Sequence, residues 1–193
     1  MENLFTEKDY NSKNGFTTNV WGPLIWSSLH IISFNYPVNP TDEDKLNYHN
    51  YLMSFKYVLP CGSCRENFKK NLIAIKYGKK HLKNRESFSR FIYDLHNLVN
   101  NMLGKPKFLT YELVRDRYEL FRAKCVKPLI SELINKVETG CVKPATNIKS
   151  QCVISIVPME KDQNTFVIDN KCIPKKSKSK KSKKSKKSKK SKK

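Results

Sequence analysis

SFSRFIYDLHNLVNNML, from Ser87 to Leu103, is the stretch that decides the fold. Its apolar residues recur every three or four positions, which places them on one face of an α-helix. Gly104 and Pro106 follow directly and favour a helix end at this point. The segment therefore predicts an amphipathic helix that packs in a helical core. Its apolar stripe consists of Phe88, Phe91, Ile92, Leu95, Val99 and Leu103.

The same periodicity predicts three long helices before this one. The first extends from Val20 to Phe34, and the second extends from the turn at Asn39–Asp42 to Leu59. The third begins near Pro60, because proline is favoured in the first turn of a helix. A shorter fifth helix is predicted over Tyr111–Phe121. Four amphipathic helices joined by short loops predict an all-α fold, a four-helix bundle with a short fifth helix.

The composition changes along the chain and suggests four segments. The last 19 residues comprise 13 Lys and 6 Ser, and we predict that this tail is disordered because it has no apolar surface to bury. Removing its 13 lysines from the net charge of +21 leaves +8. The predicted segments are an N-terminal extension at 1–19, the helical domain at 20–124, a C-terminal extension at 125–174 and the Lys/Ser tail at 175–193.

The C-terminal extension shows weaker patterns than the helical domain. Leu129–Val137 has apolar residues at helical spacing, whereas Cys152–Val157 and Thr165–Ile168 are typical of short strands. We expect this extension to be less regular than the bundle.

The sequence also excludes several classes of protein. No apolar stretch approaches the roughly 20 residues that span a bilayer. The first 19 residues lack both the apolar core of a secretory signal and the Arg-rich character of a transit peptide. We therefore expect a soluble protein that stays where it is made. Six cysteines are too few for a disulfide-built miniprotein, so they suggest redox or metal chemistry.

Cys61-Gly62-Ser63-Cys64 is the strongest chemical signal in the chain. Two intervening residues in a first helical turn bring the two sulfur atoms close enough for a disulfide, and the helix dipole there favours a thiolate. Such a pair can cycle between dithiol and disulfide. Half of a zinc site and a structural disulfide are the alternatives, although no second C-x-x-C or paired-histidine motif follows at finger-like spacing.

A redox pair needs an electron acceptor, and several residues could hold an aromatic cofactor. Trp26 and His30 lie one turn apart on the first helix, and His96 and Asn100 lie one turn apart on the fourth. Trp26 and the two histidines could equally be ordinary core or surface residues. Asn100 is harder to explain in this way, since Asn is a poor helix former and its amide needs a partner.

Five blocks together resemble the Erv/ALR family of flavin-dependent sulfhydryl oxidases. The blocks occur in the family's order and spacing and cover about Gly22 to Phe121. They are Trp21–His30, Asn35–Pro37, Tyr57–Cys64, Leu95–Asn100 and Leu103–Phe108.

This resemblance implies FAD bound between the helices and a reaction in which two thiols become a disulfide while O2 becomes H2O2. Cys64 would be the flavin-proximal cysteine, whose thiolate attacks the isoalloxazine ring. Cys61 would be the outer cysteine, which an incoming substrate thiolate attacks. The positions that the resemblance assigns to FAD binding are Gly22, Trp26, His30, Tyr36, His96, Asn97, Val99, Asn100, Lys105, Phe108, Phe121 and Arg122.

The chain also departs from the family pattern. Many members have a further cysteine pair about 16 residues apart, but Thr110 stands where the partner of Cys125 would be. The last helix offers Tyr118 together with Phe121 and Arg122 where members commonly have a Trp and a basic residue. The resemblance further implies a homodimer, a shuttle cysteine pair, and either protein thiols or a thioredoxin-like relay protein as substrate. The candidates for the shuttle or for a structural disulfide are Cys125, Cys141, Cys152 and Cys172.

The Lys/Ser tail supports an alternative function and leaves the compartment open. Its charge suits non-specific contact with polyanions, which suggests a basic nucleic-acid-binding or scaffold protein, but it could equally be a solubilising end or a localisation signal. Family members encoded by large DNA viruses suggest the cytoplasm, a virion or a viral assembly site. The mitochondrial intermembrane space is the alternative location.

Overall fold

The computed structural model describes residues 4–105, 109–126, 140–158, 160–161, 164 and 166–174. Most of the ordered elements in these residues are helices, as the sequence predicted. A 3-10 turn at Lys79–Leu82 precedes the fifth helix, and another occupies Asn170–Cys172. The helices are α1 (Glu7–Tyr10), α2 (Thr18–Asn35), α3 (Asp42–Val58), α4 (Gly62–Ala74), α5 (Arg85–Met102) and α6 (Tyr111–Glu119).

Side-chain caps determine where two of the long helices begin. Thr41 precedes α3, and its hydroxyl accepts a hydrogen bond from the backbone N–H of Asp44 at 3.1 Å. The Asp44 carboxylate in turn accepts from the Thr41 N–H at 2.8 Å, which completes a capping box. Asn84 caps α5 by accepting from the backbone N–H of Ser87 at 2.9 Å. The helix consequently begins at Arg85, two residues before the predicted start.

Helix α5 lies at the centre of the packing. It contacts α2 and α4, while α3 packs on α4 and the short α6 packs on α2. The predicted stripe is confirmed for its first four residues, whose exposed fractions are 1% or less. Leu103 is 62% exposed because the helix ends one residue before it. The buried part of the stripe consists of Phe88, Phe91, Ile92 and Leu95.

A short antiparallel ladder follows the helices. Strand β1 (Ala123–Val126) pairs with β2 (Gly140–Pro144), with an irregular register between Lys124 and Val126. The sequence did not predict this pair. The helical pattern at Leu129–Val137 and the Lys/Ser tail lie outside the described residues.

The strand prediction for Cys152–Val157 is wrong, because these residues form no strand. Val153, Ile154 and Ile156 are 64–77% exposed, so this apolar run has neither a partner ladder nor a surface to cover. Phe166–Ile168 also forms no strand, and Thr165 lies outside the described residues.

In the described part of the chain, no helix is both long and apolar enough to cross a bilayer.

Candidate redox site

Cys61 and Cys64 lie at the junction between α3 and α4. Helix α3 ends at Val58, and Cys61 is the N-cap of α4, two residues beyond Leu59. The two cysteines form a disulfide with a Cα–Cα distance of 5.2 Å. The ring thus forms on the first helical turn, where the sequence predicted it.

Two hydrogen bonds converge on the Cys61 sulfur atom. The backbone N–H of Cys64 donates to Cys61 Sγ at 3.2 Å. The Ser63 hydroxyl lies 3.1 Å from the same sulfur atom and is the donor, because a disulfide sulfur carries no proton. Both donors would stabilise negative charge on Cys61 after the disulfide is reduced.

The surroundings of the disulfide are electropositive. The first turn of α4 carries no acidic residue, and the N-terminal end of its dipole points toward the cysteines. Arg65 lies in the same turn and donates from Nη1 to the carbonyl oxygen of Leu59 at 2.6 Å. This arrangement favours a thiolate when the pair is reduced.

The two sulfur-bearing residues differ in their surroundings. Cys61 is buried, with an exposed fraction of 8%. Cys64 is half-buried and packs against the same core cluster as Trp26. The cysteine assigned to substrate attack is therefore the more enclosed of the two.

A second cluster connects α2 with α5. Trp26 stacks on His96, with ring centroids 4.1 Å apart and an interplanar angle of 6°. Nε2 of His30 lies 3.0 Å from Nδ1 of His96, so one of these nitrogens donates to the other. Tyr118 from α6 also stacks on His30, with centroids 5.3 Å apart. Residues that the sequence places on separate helices thus meet in one aromatic cluster.

Both histidines of this cluster are neutral at physiological pH. Burial, together with a smaller effect from nearby His96, lowers the pKa of His30 to about 3. Burial also lowers the pKa of His96 to about 4, with a smaller effect from the charge of Lys105. Nδ1 of His30 is buried and has no hydrogen-bond partner among the described residues. A buried nitrogen of this kind is an available hydrogen-bonding group for a ligand.

The other predicted residues on or next to α2 and α5 differ in how far they are buried. Asn97 and Asn100 are buried, with exposed fractions of 8% and 5%, and Val99 is half-buried. Lys105 is exposed, and its backbone N–H donates to the carbonyl oxygen of Asn100 at 2.9 Å. Gly22 is half-buried within α2.

Tyr36 belongs to the core of the bundle. It is fully buried, packs against Tyr48 and Phe88, and donates from its hydroxyl to the carbonyl oxygen of Leu82 at 2.9 Å. Core packing and this hydrogen bond therefore account for the position of the Tyr36 ring.

The predicted residues after α5 have separate surroundings. Arg122 donates to the carbonyl oxygen of Phe34 at 2.6 Å and forms an ion pair with Glu119. Phe121 is 41% exposed, and Phe108 lies outside the described residues.

The structure also shows contacts that the sequence did not predict. Phe166 of the C-terminal extension stacks on Tyr118, with centroids 5.3 Å apart. The segment Lys13–Phe16 contacts the backbone of Pro60 and Gly62. The Asn14-Gly15 dipeptide, which is typical of turns, was the available signal for a bend there.

The other cysteines are in different states. Cys141 is disulfide-bonded, whereas Cys152 is free and exposed and Cys172 is free and half-buried. Cys125 lies in β1. Within the described residues, no group of three His, Cys, Asp or Glu side chains could hold a metal ion.

Comparison with known proteins gives matches to one family of proteins. The sequence model of the Erv1 / Alr family matches residues 23–119. A probable FAD-linked sulfhydryl oxidase of Acanthamoeba polyphaga mimivirus is 43% identical over 91 residues, which cover 47% of this chain and 63% of that protein. The mitochondrial FAD-linked sulfhydryl oxidase ERV1 of Saccharomyces cerevisiae is 35% identical over 87 residues, which cover 45% of this chain and 44% of that protein.

Two further matches differ in coverage. A putative FAD-linked sulfhydryl oxidase of Invertebrate iridescent virus 6 is 33% identical over 97 residues, and the match covers 82% of its length. The crystal structure of the yeast Erv1 core has a TM-score of 0.48 and 27% identity, covering 60% of this chain and 94% of that one. The chain spans less than two thirds of the length of the mimivirus and yeast oxidases.

Proposed function

The chain belongs to the Erv1 / Alr family, and on that basis we propose that it is an FAD-dependent thiol oxidase that forms disulfide bonds in protein substrates. The observation that carries this proposal is the Cys61–Cys64 disulfide at the N-terminus of α4, inside the segment that the family model matches. We assign this chemistry to the domain at 20–124.

The residues between α2 and α5 fit a flavin. FAD needs aromatic surfaces beside its planar rings, hydrogen-bonding groups, and positive charge near its phosphates. Trp26 and His96 supply the flat surfaces, Nδ1 of His30 is a buried nitrogen without a partner, and Lys105 supplies the charge. We propose that these four residues hold FAD, together with Asn97 and Asn100 of α5.

The other positions assigned to FAD binding lie on or near the same helices. Gly22 and Val99 lie on the two helices that carry the cluster, and Phe108 belongs to the matched segment. Phe121 and Arg122 follow α6, whose Tyr118 reaches His30. Tyr36 is better explained by its core packing, so we expect it to support the site only indirectly.

The first half of the reaction follows from the geometry of the disulfide. A substrate thiolate attacks Cys61 Sγ, the bond to Cys64 breaks, and Cys64 leaves as a thiolate. A second substrate thiolate then attacks the mixed disulfide, and Cys61 leaves with stabilisation from the Cys64 N–H and the Ser63 hydroxyl. The substrate gains a disulfide and gives up two electrons and two protons.

Bound FAD would accept these two electrons and pass them to O2, giving H2O2. Both histidine pKa values, about 3 for His30 and about 4 for His96, lie well below physiological pH. The His30–His96 pair is therefore neutral and places no positive imidazole charge in the site.

The visible absorption spectrum of the purified protein tests this function. We expect a flavin band near ~450 nm that bleaches with dithiothreitol and recovers in air with O2 uptake. Cys64→Ser should retain the band but lose bleaching and O2 uptake. Cys152→Ser is the matched cysteine variant, because Cys152 is free and exposed. Since dithiothreitol is small enough to reduce the Cys61–Cys64 disulfide directly, without a shuttle pair, this variant should behave like the wild type. A helical protein that stays colourless after addition of FAD would contradict the proposal.

The electron donor and the oligomeric state are the next parts of the proposed function. We propose protein thiols or a thioredoxin-like relay protein as the electron donor, and a homodimer as the assembly. Leu24 and Ile31 support self-association, because these apolar residues on α2 are 43% and 54% exposed. Sedimentation equilibrium should give twice the mass of the chain.

We propose the cytoplasm or a viral assembly site as the location of the protein, with the mitochondrial intermembrane space as the alternative. Immunogold labelling distinguishes these locations.

The Lys/Ser tail supports a second candidate function as a polyanion-binding or scaffold protein. Its 13 lysines would release counterions from nucleic acid, so the affinity should fall steeply with salt. Deleting 175–193 should abolish this binding and leave O2 uptake unchanged. If Cys64→Ser abolished the biological activity of the protein while deletion of 175–193 left it unchanged, polyanion binding by the tail would not be its function.

A further inference from the structure

The N-terminal segment Lys13–Phe16 crosses the backbone that carries the redox disulfide. The backbone N–H of Phe16 donates to the carbonyl oxygen of Pro60 at 2.8 Å, and the N–H of Gly62 donates to the carbonyl oxygen of Lys13 at 2.9 Å. These two bonds lie on either side of Cys61. We call Lys13–Phe16 the N-terminal strap.

Two glycines show how closely the strap approaches. Gly15 has φ +73°, and a Cβ atom there would lie 2.1 Å from the carbonyl oxygen of Pro60 and 3.2 Å from Cα of Cys61. A Cβ atom on Gly62 would lie 2.7 Å from the carbonyl oxygen of Lys13. Heavy atoms cannot approach this closely without displacement, so the contact requires glycine at both positions.

The strap is held with little buried surface. Residues 4–20 are all exposed, and helix α1, which precedes the strap, has no buried residue. Trp21 in α2 adds one tether, because its Nε1 donates to the carbonyl oxygen of Phe16 at 2.9 Å. A segment held by three hydrogen bonds and few apolar contacts can open at low cost in free energy.

From these contacts we propose that the N-terminal strap determines which thiols reach Cys61. The inference rests on the proposed thiol oxidase activity and adds a specificity determinant to it. Cys61 is 8% exposed with the strap in place. A small dithiol can reach its sulfur with the strap closed, whereas a folded protein thiol requires the strap to open. The strap therefore slows reduction by large substrates more than reduction by small ones.

The chemistry affected is the reduction of the disulfide. One thiolate of the reductant attacks Cys61 Sγ and displaces Cys64 as a thiolate, and its second thiolate displaces Cys61. The reductant loses two electrons and forms a disulfide, while the Cys61–Cys64 pair gains the two electrons and two protons. Because this exchange needs no flavin, it can be followed separately from oxidase activity.

Gly15→Ala is the direct test, and Gly78→Ala is the matched control, because a Cβ at Gly78 meets nothing within 4 Å. The disulfide is reduced anaerobically with dithiothreitol or with reduced thioredoxin, and alkylation at Cys61 and Cys64 is quantified by peptide mass spectrometry, because Cys141 is also disulfide-bonded. We expect Gly15→Ala to raise the ratio of the thioredoxin rate to the dithiothreitol rate about tenfold, as loss of two backbone hydrogen bonds would allow. Gly78→Ala should retain the wild-type ratio.

Trp21→Phe is a second variant that loosens the strap without a new steric contact. It should raise the same ratio by a smaller factor and should accelerate hydrogen exchange at the Gly62 amide. Accelerated exchange at Gly62 with an unchanged rate ratio in both variants would overturn the proposal. If no variant consumes O2 but the ratio changes as expected, the oxidase assignment fails and the role of the strap stands.

Discussion

The buried pair His30 and His96 makes the free energy of unfolding depend on pH below the ordinary histidine pKa of 6.5. Both pKa values, about 3 and about 4, lie below the ordinary value of 6.5. The folded protein therefore binds fewer protons than the unfolded chain. The stabilisation from the neutral pair is fully present above pH 6.5 and is lost progressively as the pH falls toward the folded pKa values.

The magnitude follows from the protonation of the unfolded chain. Protonation stabilises each unfolded-state histidine by about 1.4 kcal/mol at pH 5.5 but by only about 0.2 kcal/mol at pH 7.0. Since neither His30 nor His96 is appreciably protonated in the folded state at pH 5.5, each contributes the difference. These two histidines should therefore lower the free energy of unfolding by about 2.5 kcal/mol between pH 7.0 and pH 5.5. His81, whose pKa burial also lowers, adds to this fall.

Urea unfolding of the flavin-free protein, followed by far-UV circular dichroism at the two pH values, measures this fall. His96→Gln should reduce it to about half, because one of the two groups is removed. Trp26→Phe is the control: it removes the ring stacked on His96 but no titrating group, so the fall should persist. A wild-type stability that is equal at both pH values, or a full-sized fall in His96→Gln, would refute the reasoning.

Three further substitutions test the packing that positions the site. Leu95→Ala should lower the free energy of unfolding by about 2–5 kcal/mol in urea titrations, because Leu95 is fully buried and truncation leaves a cavity. Tyr36→Phe should cost about 1–3 kcal/mol in thermal unfolding, since it leaves the buried carbonyl of Leu82 without its donor. Thr41→Ala should cost about 1 kcal/mol by removing the acceptor for the Asp44 N–H, and Thr41→Ser should restore most of it.

Periodicity predicted the long helices because their packing depends on one apolar face. Phe91 and Leu95 recur at helical spacing and are buried as expected. The exact ends depended on caps such as Asn84, which lies outside the apolar pattern and moved the start of α5 to Arg85. The run at Cys152–Val157 misled the prediction, since a strand also requires a partner ladder, which local sequence does not contain.

The candidate site was predictable where chemistry is local in sequence. Cys61 and Cys64 form their disulfide within one helical turn, so spacing alone sufficed. The hydrogen bond between His30 and His96 joins residues 66 positions apart, and only the packing of α2 on α5 brings them together. Tyr36 is buried in the core of the bundle, and its predicted contact with FAD stays a prediction.

The N-terminal strap implies an unusual pattern of tolerance to substitution. Lys13 contributes its main-chain oxygen to the contact with Gly62, and its own side chain is exposed. In a library of all single variants scored for a closed strap, position 13 should accept most residues, whereas positions 15 and 62 should reject nearly all of them. At these two positions the contact selects for the absence of a side chain.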